Sequence, residues 1–171
     1  MNNLIFDAGP LITACKFSVA DQLVIDHLLN HCQITIATSV RDEVVVAGKR
    51  YPDAQAAQKR IDDGRVAVLS PLPNPSLETL IAPYNLGYGE QDSIRLVGHV
   101  ALQNAILVVD DHLAYLVSDR LGQQKSFLLD VIANLAAMER LDRSLAEDMV
   151  KSIQTRYPPA FVKHTMFLLR R

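Results

Sequence analysis

The chain has 171 residues with a formal net charge of −2 at pH 7, and 49% of its residues are hydrophobic and 21% charged. This balance predicts one globular domain without the strong basic field of many nucleic-acid binders, although a local basic patch needs no basic average. Its two cysteines are too few for a disulfide scaffold and predict buried free thiols. Because the N-terminus lacks a signal-peptide profile and no apolar stretch is long enough to span a membrane, we expect a cytoplasmic protein.

The first predicted element is a buried strand over residues 4–6, an apolar run that leads directly into Asp7 and a Gly-Pro turn. A second such run, over residues 105–109, leads into Asp110 and Asp111. Further strands are predicted over residues 33–37, 65–69 and 125–128. The predicted helices cover residues 10–17, 21–31, 40–47, 51–63, 77–82, 90–103, 112–121, 128–138, 144–155 and 159–169. This alternation predicts a parallel sheet covered by helices on both faces.

Local signals predict where three of these helices begin or end. Asp21 is placed for the first turn of the helix over residues 21–31. Thr38 or Ser39 is placed to cap the helix that follows the second predicted strand. Gly64 is expected to close the helix over residues 51–63.

Acidic residues stand at four positions of this plan where a sheet edge would bring them together. One ends the first strand, one lies two turns into the helix after the second strand, two open the helix before the fourth strand, and two follow that strand. They are, in this order, Asp7, Glu43, Glu90, Asp92, Asp110 and Asp111. Each acid alone also suits a turn, a helix cap or a solvated helix face. Together they predict a ligand site, because ligands bind at the carboxyl edge of open α/β sheets.

The chemistry of such a cluster points to a metal ion. Crowded carboxylates raise one another's pKa values unless a cation lies between them. Oxygen ligands without Cys or His select a hard ion, Mg²⁺ or Mn²⁺, which can activate a water and stabilise charge on a phosphoryl oxygen. The sequence therefore predicts hydrolysis of a phosphodiester or a phosphomonoester. Which acid of each adjacent pair contacts the metal stays open, although Glu90 is in phase with the apolar stripe of its helix.

Four segments in this order resemble the PIN-domain family. They are FDAGPLI at residues 6–12, SVRDEVV at 39–45, GYGEQDSIRL at 87–96 and VVDDHLA at 108–114, so the resemblance covers roughly residues 4–121. The helix start at Glu90 and the double Asp resemble a subgroup of VapC-like toxin ribonucleases. One departure is Val109, which stands where many members have Thr or Ser before the last acid.

The resemblance implies a three-layer α/β/α sandwich with a central parallel sheet of four to five strands. It implies one PIN-like domain over residues 1–171, in which residues 126–171 form a C-terminal helical extension. It further implies RNA cleavage with Mg²⁺ or Mn²⁺, and a homodimeric toxin that a small antitoxin protein neutralises. The implied catalytic residues are Asp7, Glu43, Asp92 and Asp110. The implied metal ligands are Asp7, Glu90, Asp92, Asp110 and Asp111.

Two other functions compete with this interpretation. A catalytically inactive PIN-like module would bind RNA or a protein through the same fold. A phosphatase of the haloacid dehalogenase kind also carries an Asp after its first strand, but it needs a second acid two residues later, where this chain has Gly9.

Overall fold

The computed structural model describes residues 2–102 and 104–171, and within them a central parallel sheet of five strands is flanked by helices. The chain also forms a two-stranded hairpin outside this sheet. The strands are β1 (Asn2–Phe6), β2 (Ser18–Val19), β3 (Gln22–Leu23), β4 (Cys32–Ala37), β5 (Val66–Leu69), β6 (Ile106–Val108) and β7 (Lys125–Ser126). The central order is β5-β4-β1-β6-β7, which confirms the predicted α/β/α architecture.

The helices follow the predicted alternation. The α-helices are α1 (Ala8–Lys16), α2 (Val24–Leu29), α3 (Thr38–Arg41), α4 (Pro52–Asp62), α5 (Pro75–Ile81), α6 (Tyr88–Leu96), α7 (His112–Arg120), α8 (Leu128–Ala137), α9 (Arg143–Ile153) and α10 (Pro159–Leu169). A π-helix continues α3 over Asp42–Ala47, and short 3₁₀ turns cover Val100–Leu102 and Gln154–Arg156.

The three middle strands of the sheet are buried on both faces. Ile5, Phe6, Ile36 and Leu107 are inaccessible to solvent. Such continuous apolar runs are typical of a parallel sheet covered on both sides, because neither face meets water. The C-terminal helices α8, α9 and α10 pack against one another, and the apolar faces of α8 and α9 join the same hydrophobic core.

The predicted helix over residues 21–31 is wrong in its first turn. Residues 18–23 form the β2–β3 hairpin instead, and α2 begins only at Val24. Ala20 and Asp21 occupy the hairpin turn with φ of 49° and 61°, a left-handed conformation that glycine usually signals. Because no glycine marks the turn, the polar Asp21 has the signature of a helix start.

Two other helix predictions differ from the structure. Thr38 and Ser39 do not cap a helix, since α3 already includes both; their hydroxyls bond to the Ser70 hydroxyl at 2.9 Å and to the Tyr88 carbonyl at 3.4 Å. The helix predicted over residues 90–103 ends at Leu96, two residues before Gly98, and its predicted last residue, Gln103, lies outside the described residues.

The structure also bears on the predictions about the cysteines and about membrane-spanning segments. Cys15 and Cys32 are free and buried, as predicted. None of the helices in residues 2–102 and 104–171 combines the length and apolar character that crossing a bilayer requires.

We expect Leu107→Ala to lower the free energy of unfolding by about 2–5 kcal/mol, because it removes a fully buried side chain from β6 and leaves a cavity. Urea unfolding followed by circular dichroism measures the change. Leu72→Ala is the control, since Leu72 is 59% exposed and its removal should change stability by less than about 0.5 kcal/mol. Equal effects of the two substitutions would contradict the core assigned to β6.

Candidate active site

The candidate site lies at the carboxyl ends of β1 and β6, where the strand order reverses. From β1 the chain adds β4 and β5 on one side of the sheet and then returns to add β6 and β7 on the other. The Asp7 backbone N–H donates to the Val108 carbonyl at 3.0 Å, so pairing continues one residue beyond the end of β1. A crevice at such a reversal is the usual ligand site of an open α/β sheet.

Asp7 is a buried carboxylate at the centre of this edge. Its side chain is only 5% exposed, and the Ser93 hydroxyl of α6 donates to its Oδ1 at 3.2 Å. Burial and, to a smaller extent, the negative charges of Glu90 and Glu43 raise the pKa of Asp7 to about 6, although the Ala8 backbone N–H and the Ser93 hydroxyl act in the opposite direction. Asp7 is therefore held in place by hydrogen bonds while it repels two neighbouring acids.

Glu43 reaches the same point from the π-helix, through a gap left by Gly89. A Cβ built on Gly89 would lie 2.9 Å from Glu43 Oε2 and 3.8 Å from Asp7 Oδ1. Both carboxylates therefore lie next to the space that a side chain at position 89 would occupy. Glu43 lies in a π-helix, in which each hydrogen bond spans five residues instead of four. Short π-helical segments are frequent at functional sites.

Glu90 closes the first turn of α6 and faces the other acids. Its Oε2 accepts the Gly87 backbone N–H at 2.7 Å. Burial raises the pKa of Glu90, and the charges of Asp111 and Glu43 raise it further, against the hydrogen bond from Gly87. Glu90 therefore lies close enough to Asp7, Glu43 and Asp111 for the charges of these acids to repel one another.

The two adjacent aspartates after β6 point in different directions. Asp111 is exposed and caps α7, where its Oδ1 accepts the Ala114 backbone N–H at 2.9 Å. Asp110 turns inward, and its Oδ2 accepts the Tyr157 hydroxyl at 2.7 Å. Burial raises the pKa of Asp110, although the Tyr157 hydroxyl, the Leu128 backbone N–H and the charge of Arg156 act in the opposite direction. Its buried Oδ1 has no hydrogen-bond partner within the described part of the chain.

Asp92 is directed to an ion pair rather than to the other acids. Its Oδ1 accepts from Arg95 at 2.6 Å, and the same guanidinium binds both carboxylate oxygens of Glu78 at 2.8 and 2.6 Å. The structure therefore brings five of the six predicted acids to one edge. We name these five the acid rim: Asp7, Glu43, Glu90, Asp110 and Asp111. The metal-ligand role of Asp92 stays a prediction.

The chemistry of the acid rim fits a hard cation. No Lys, Arg or His forms an ion pair with its five carboxylates among the described residues. The donors are oxygens only, which suits Mg²⁺ or Mn²⁺, and Asp110 Oδ1 is a buried acceptor without a donor. In residues 2–102 and 104–171, however, no three acids, His or Cys already stand in a coordinating arrangement.

Fold and site together define an α/β protein with a carboxylate cluster at the reversal of its sheet. The model of the DUF3368 family, described as a PIN domain, matches residues 3–169. The chain therefore belongs to the PIN-domain family, whose members are generally nucleases. No curated protein and no solved structure matches the chain.

Three residues of the site were not predicted from the sequence. Ser93 and Tyr157 donate hydrogen bonds to rim carboxylates that lie 86 and 47 residues away along the chain. Gly89 is flanked by Tyr88 and Glu90 and resembles an ordinary turn glycine in sequence. Gly89 lies in the turn predicted before the helix over residues 90–103, whereas in the structure it belongs to the first turn of α6.

We expect Asp7→Asn to stabilise the metal-free protein above pH 6. A raised pKa means that the folded state holds a proton that the unfolded state releases, so stability falls as pH rises from about 4 to about 6. A rise from the ordinary value of 3.8 to about 6 corresponds to a loss of at most about 3 kcal/mol, which Asn avoids.

Urea unfolding with EDTA at pH 4 and pH 7.5 measures this difference. The control is Asp63→Asn, at an exposed position, which should leave the pH dependence of the parent chain intact. An Asp7→Asn protein that loses stability between these pH values as the parent does would contradict the assignment of the slope to Asp7.

Proposed function

We propose that the chain is a metal-dependent endoribonuclease that hydrolyses phosphodiester bonds of RNA at the acid rim. The observation that carries this proposal is the gap at Gly89, because it lets the Asp7 and Glu43 carboxylates come within 4 Å of one point. Two negative charges at one point are unfavourable without a cation. Membership of a family of nucleases supports the same chemistry.

Mg²⁺ or Mn²⁺ would be held by Asp7, Glu43, Glu90 and Asp111. Once bound, the ion supplies a water of lowered pKa and offsets the charge that develops on the phosphoryl oxygens. Asp7 contributes a fixed ligand, since burial and Ser93 restrict its rotation. The exposed Glu43 and Asp111 lie on the open side of the acid rim, from which a phosphate would approach.

Asp110 has a different role in this proposal. Tyr157 donates to one of its oxygens, and the other, Oδ1, is buried and accepts no hydrogen bond among the described residues. The Cβ of Asp110 also lies 3.8 Å from the position a Gly9 side chain would take, so the turn after Asp7 is packed directly against it. Asp110 would thus fix the spacing between the β1 and β6 ends.

The proposal extends to a toxin of a toxin–antitoxin pair, acting as a homodimer and neutralised by a small antitoxin protein. The resemblance to VapC-like toxins supports this extension. A small open reading frame immediately upstream of the coding sequence, and growth arrest that its co-expression relieves, would support it further. Growth unaffected by strong expression of the active chain would contradict it.

A PIN-like binding module without turnover is the alternative function. The lack of a preformed three-ligand group in the described residues favours it, as does Val109 in place of a hydroxyl residue. Metal titration discriminates between the two functions. The nuclease should gain thermal stability with millimolar Mg²⁺ or Mn²⁺, because binding to the folded state alone is stabilising. A folded chain without that gain would support the binding module.

We expect Asp7→Asn to reduce RNA cleavage at least about a hundredfold, because it removes a fixed anionic ligand whose contribution is worth several kcal/mol. Cleavage of a labelled single-stranded RNA with Mn²⁺ measures the loss, and EDTA should abolish the activity of the parent chain. Unchanged cleavage by the folded variant would remove the nuclease proposal.

We expect Asp92→Asn to retain cleavage within about threefold, because the Asp92 carboxylate is committed to Arg95. Glu78→Gln is the matched variant, since it removes the other partner of the same guanidinium. Equal activities of the two variants would place Asp92 outside the metal site. A large loss with Asp92→Asn alone would establish the metal-ligand role that the sequence predicts.

We expect Gly89→Ala to weaken metal-dependent stabilisation and cleavage while the fold is retained. Alanine is the better helix former by about 1 kcal/mol, but its Cβ would displace the Glu43 carboxylate, which lies 2.9 Å away. Gly98→Ala is the control, because the nearest atom to its Cβ would be 4.0 Å away. Equal metal responses of the two variants would contradict the importance of the Gly89 gap.

A further inference from the structure

A separate cavity opens between the start of α8 and α10. Its volume is about 370 Å³, which is within the range of small-ligand pockets. Its lining combines two aromatic rings with one acid, one histidine and two smaller side chains: Phe127, Leu129, Asp130, Phe161, His164 and Thr165. Phe161, His164 and Thr165 share one face of α10, because they are three and four residues apart.

The aromatic wall of this cavity extends to Tyr115 of α7, the helix that Asp111 caps. The Phe127 and Phe161 rings lie 5.4 Å apart with an interplanar angle of 56°. Phe127 also stacks on Tyr115 at 4.6 Å with the planes 1° apart. Tyr115 is one turn along α7 from Asp111, whose carbonyl accepts the Tyr115 backbone N–H at 3.0 Å.

The chain connections place Phe127 beside the same sheet edge. Val108 pairs with Ser126, and Val109 donates its backbone N–H to the Ser126 carbonyl at 3.1 Å, so Phe127 follows β7 opposite Val109, the residue before Asp110. The aromatic strip of Tyr115, Phe127 and Phe161 therefore leads from chain segments that adjoin the acid rim into the cavity. A strand of RNA cut at the acid rim could follow this strip.

Asp130 is the hydrogen-bonding group of the cavity. It lies in the first turn of α8, half-buried, where burial raises its pKa against the Phe127 backbone N–H and the charge of His164. An ionised carboxylate only accepts hydrogen bonds. The Thr165 hydroxyl already donates to the Phe161 carbonyl at 3.0 Å, and His164 is exposed at the mouth of the cavity.

We propose that this cavity is a nucleobase subsite that selects guanine in single-stranded RNA, with Phe127 and Phe161 against the ring and Asp130 on its Watson–Crick edge. The proposal rests on the nuclease function for its choice of RNA. Guanine is the nucleobase that presents two adjacent donors, N1–H and the exocyclic amino group, and a carboxylate accepts both. Adenine and cytosine present one amino donor, and uracil presents one imide N–H.

Two features favour a nucleobase over a protein side chain as the occupant. Single-stranded RNA is commonly recognised by unstacked bases that pack on aromatic rings while their edges hydrogen-bond. A partner's apolar side chain would instead leave the half-buried Asp130 carboxylate with the Phe127 backbone N–H as its hydrogen-bond donor and none from the occupant, which is unfavourable. The course of the strip from segments that adjoin the acid rim also matches a polymer that crosses both sites.

The test measures binding without cleavage. Fluorescein-labelled RNA octamers that carry one central guanine, adenine, cytosine or uracil in an otherwise constant sequence are titrated with the full chain in EDTA. We expect the guanine octamer to bind about tenfold more tightly than the others, the discrimination of a bidentate base contact. Equal affinities for the four octamers, or no binding at all, would overturn the proposal.

Variants locate the preference in the cavity. Asp130→Asn should remove the guanine preference by replacing one acceptor oxygen with a donor, while the other octamers bind within about twofold of the parent. Phe161→Ala should weaken the guanine octamer about tenfold through lost stacking. Phe167→Ala is the control, because Phe167 is on the same helix, 53% exposed and outside the cavity.

The outcomes separate this proposal from the nuclease proposal. A guanine preference that survives Asp130→Asn, or that Phe167→Ala lowers as much as Phe161→Ala does, would overturn the subsite. The cleavage assay of Asp7→Asn tests the acid rim independently, because Asp7 is not among the residues that line the cavity. A chain with the guanine preference but without cleavage would retain the subsite and lose the nuclease.

Discussion

The structure depends on a buried carboxylate at the reversal of a parallel sheet. Asp7 has lost nearly all its water, and no cation among the described residues offsets its charge. Its hydrogen bonds to Ser93 and Ala8 only partly compensate for that loss, and Glu43 and Glu90 work against it. A buried, ionised Asp7 beside two other acids lowers the stability of the fold at neutral pH. Ionisable groups with such perturbed pKa values cluster at functional sites.

The central architecture was predictable because parallel strands have a simple sequence signature. Buried apolar runs that end in Asp7 and Asp110 define β1 and β6, and helical periodicity separates them. The meeting of the acids followed from one topological rule, since parallel strands end at one edge. The sequence also resembles PIN domains, and the family match confirms that resemblance.

The rest depended on contacts that no local pattern encodes. The turn of the β2–β3 hairpin consists of Ala20 and Asp21 and contains no glycine, so the sequence there predicts the start of a helix instead. The sequence left open whether Glu90 or Asp92 faces the site, because the environment of Asp92 is formed by Arg95 and the distant Glu78. The different directions of Asp110 and Asp111 likewise depend on Tyr157, a residue just before α10 that only the folded chain brings near Asp110.

The bond between Tyr157 and Asp110 has a consequence for the order in which the molecule is completed. It joins residues 47 positions apart, and Tyr157 lies between the 3₁₀ turn over Gln154–Arg156 and α10. During synthesis, β1 and β6 leave the ribosome before Tyr157, whose hydroxyl donates to Asp110 after the end of β6. The candidate site would therefore be completed only after Tyr157 has been added, so a nascent chain, or one cleaved before residue 157, carries the acid rim without this hydrogen bond.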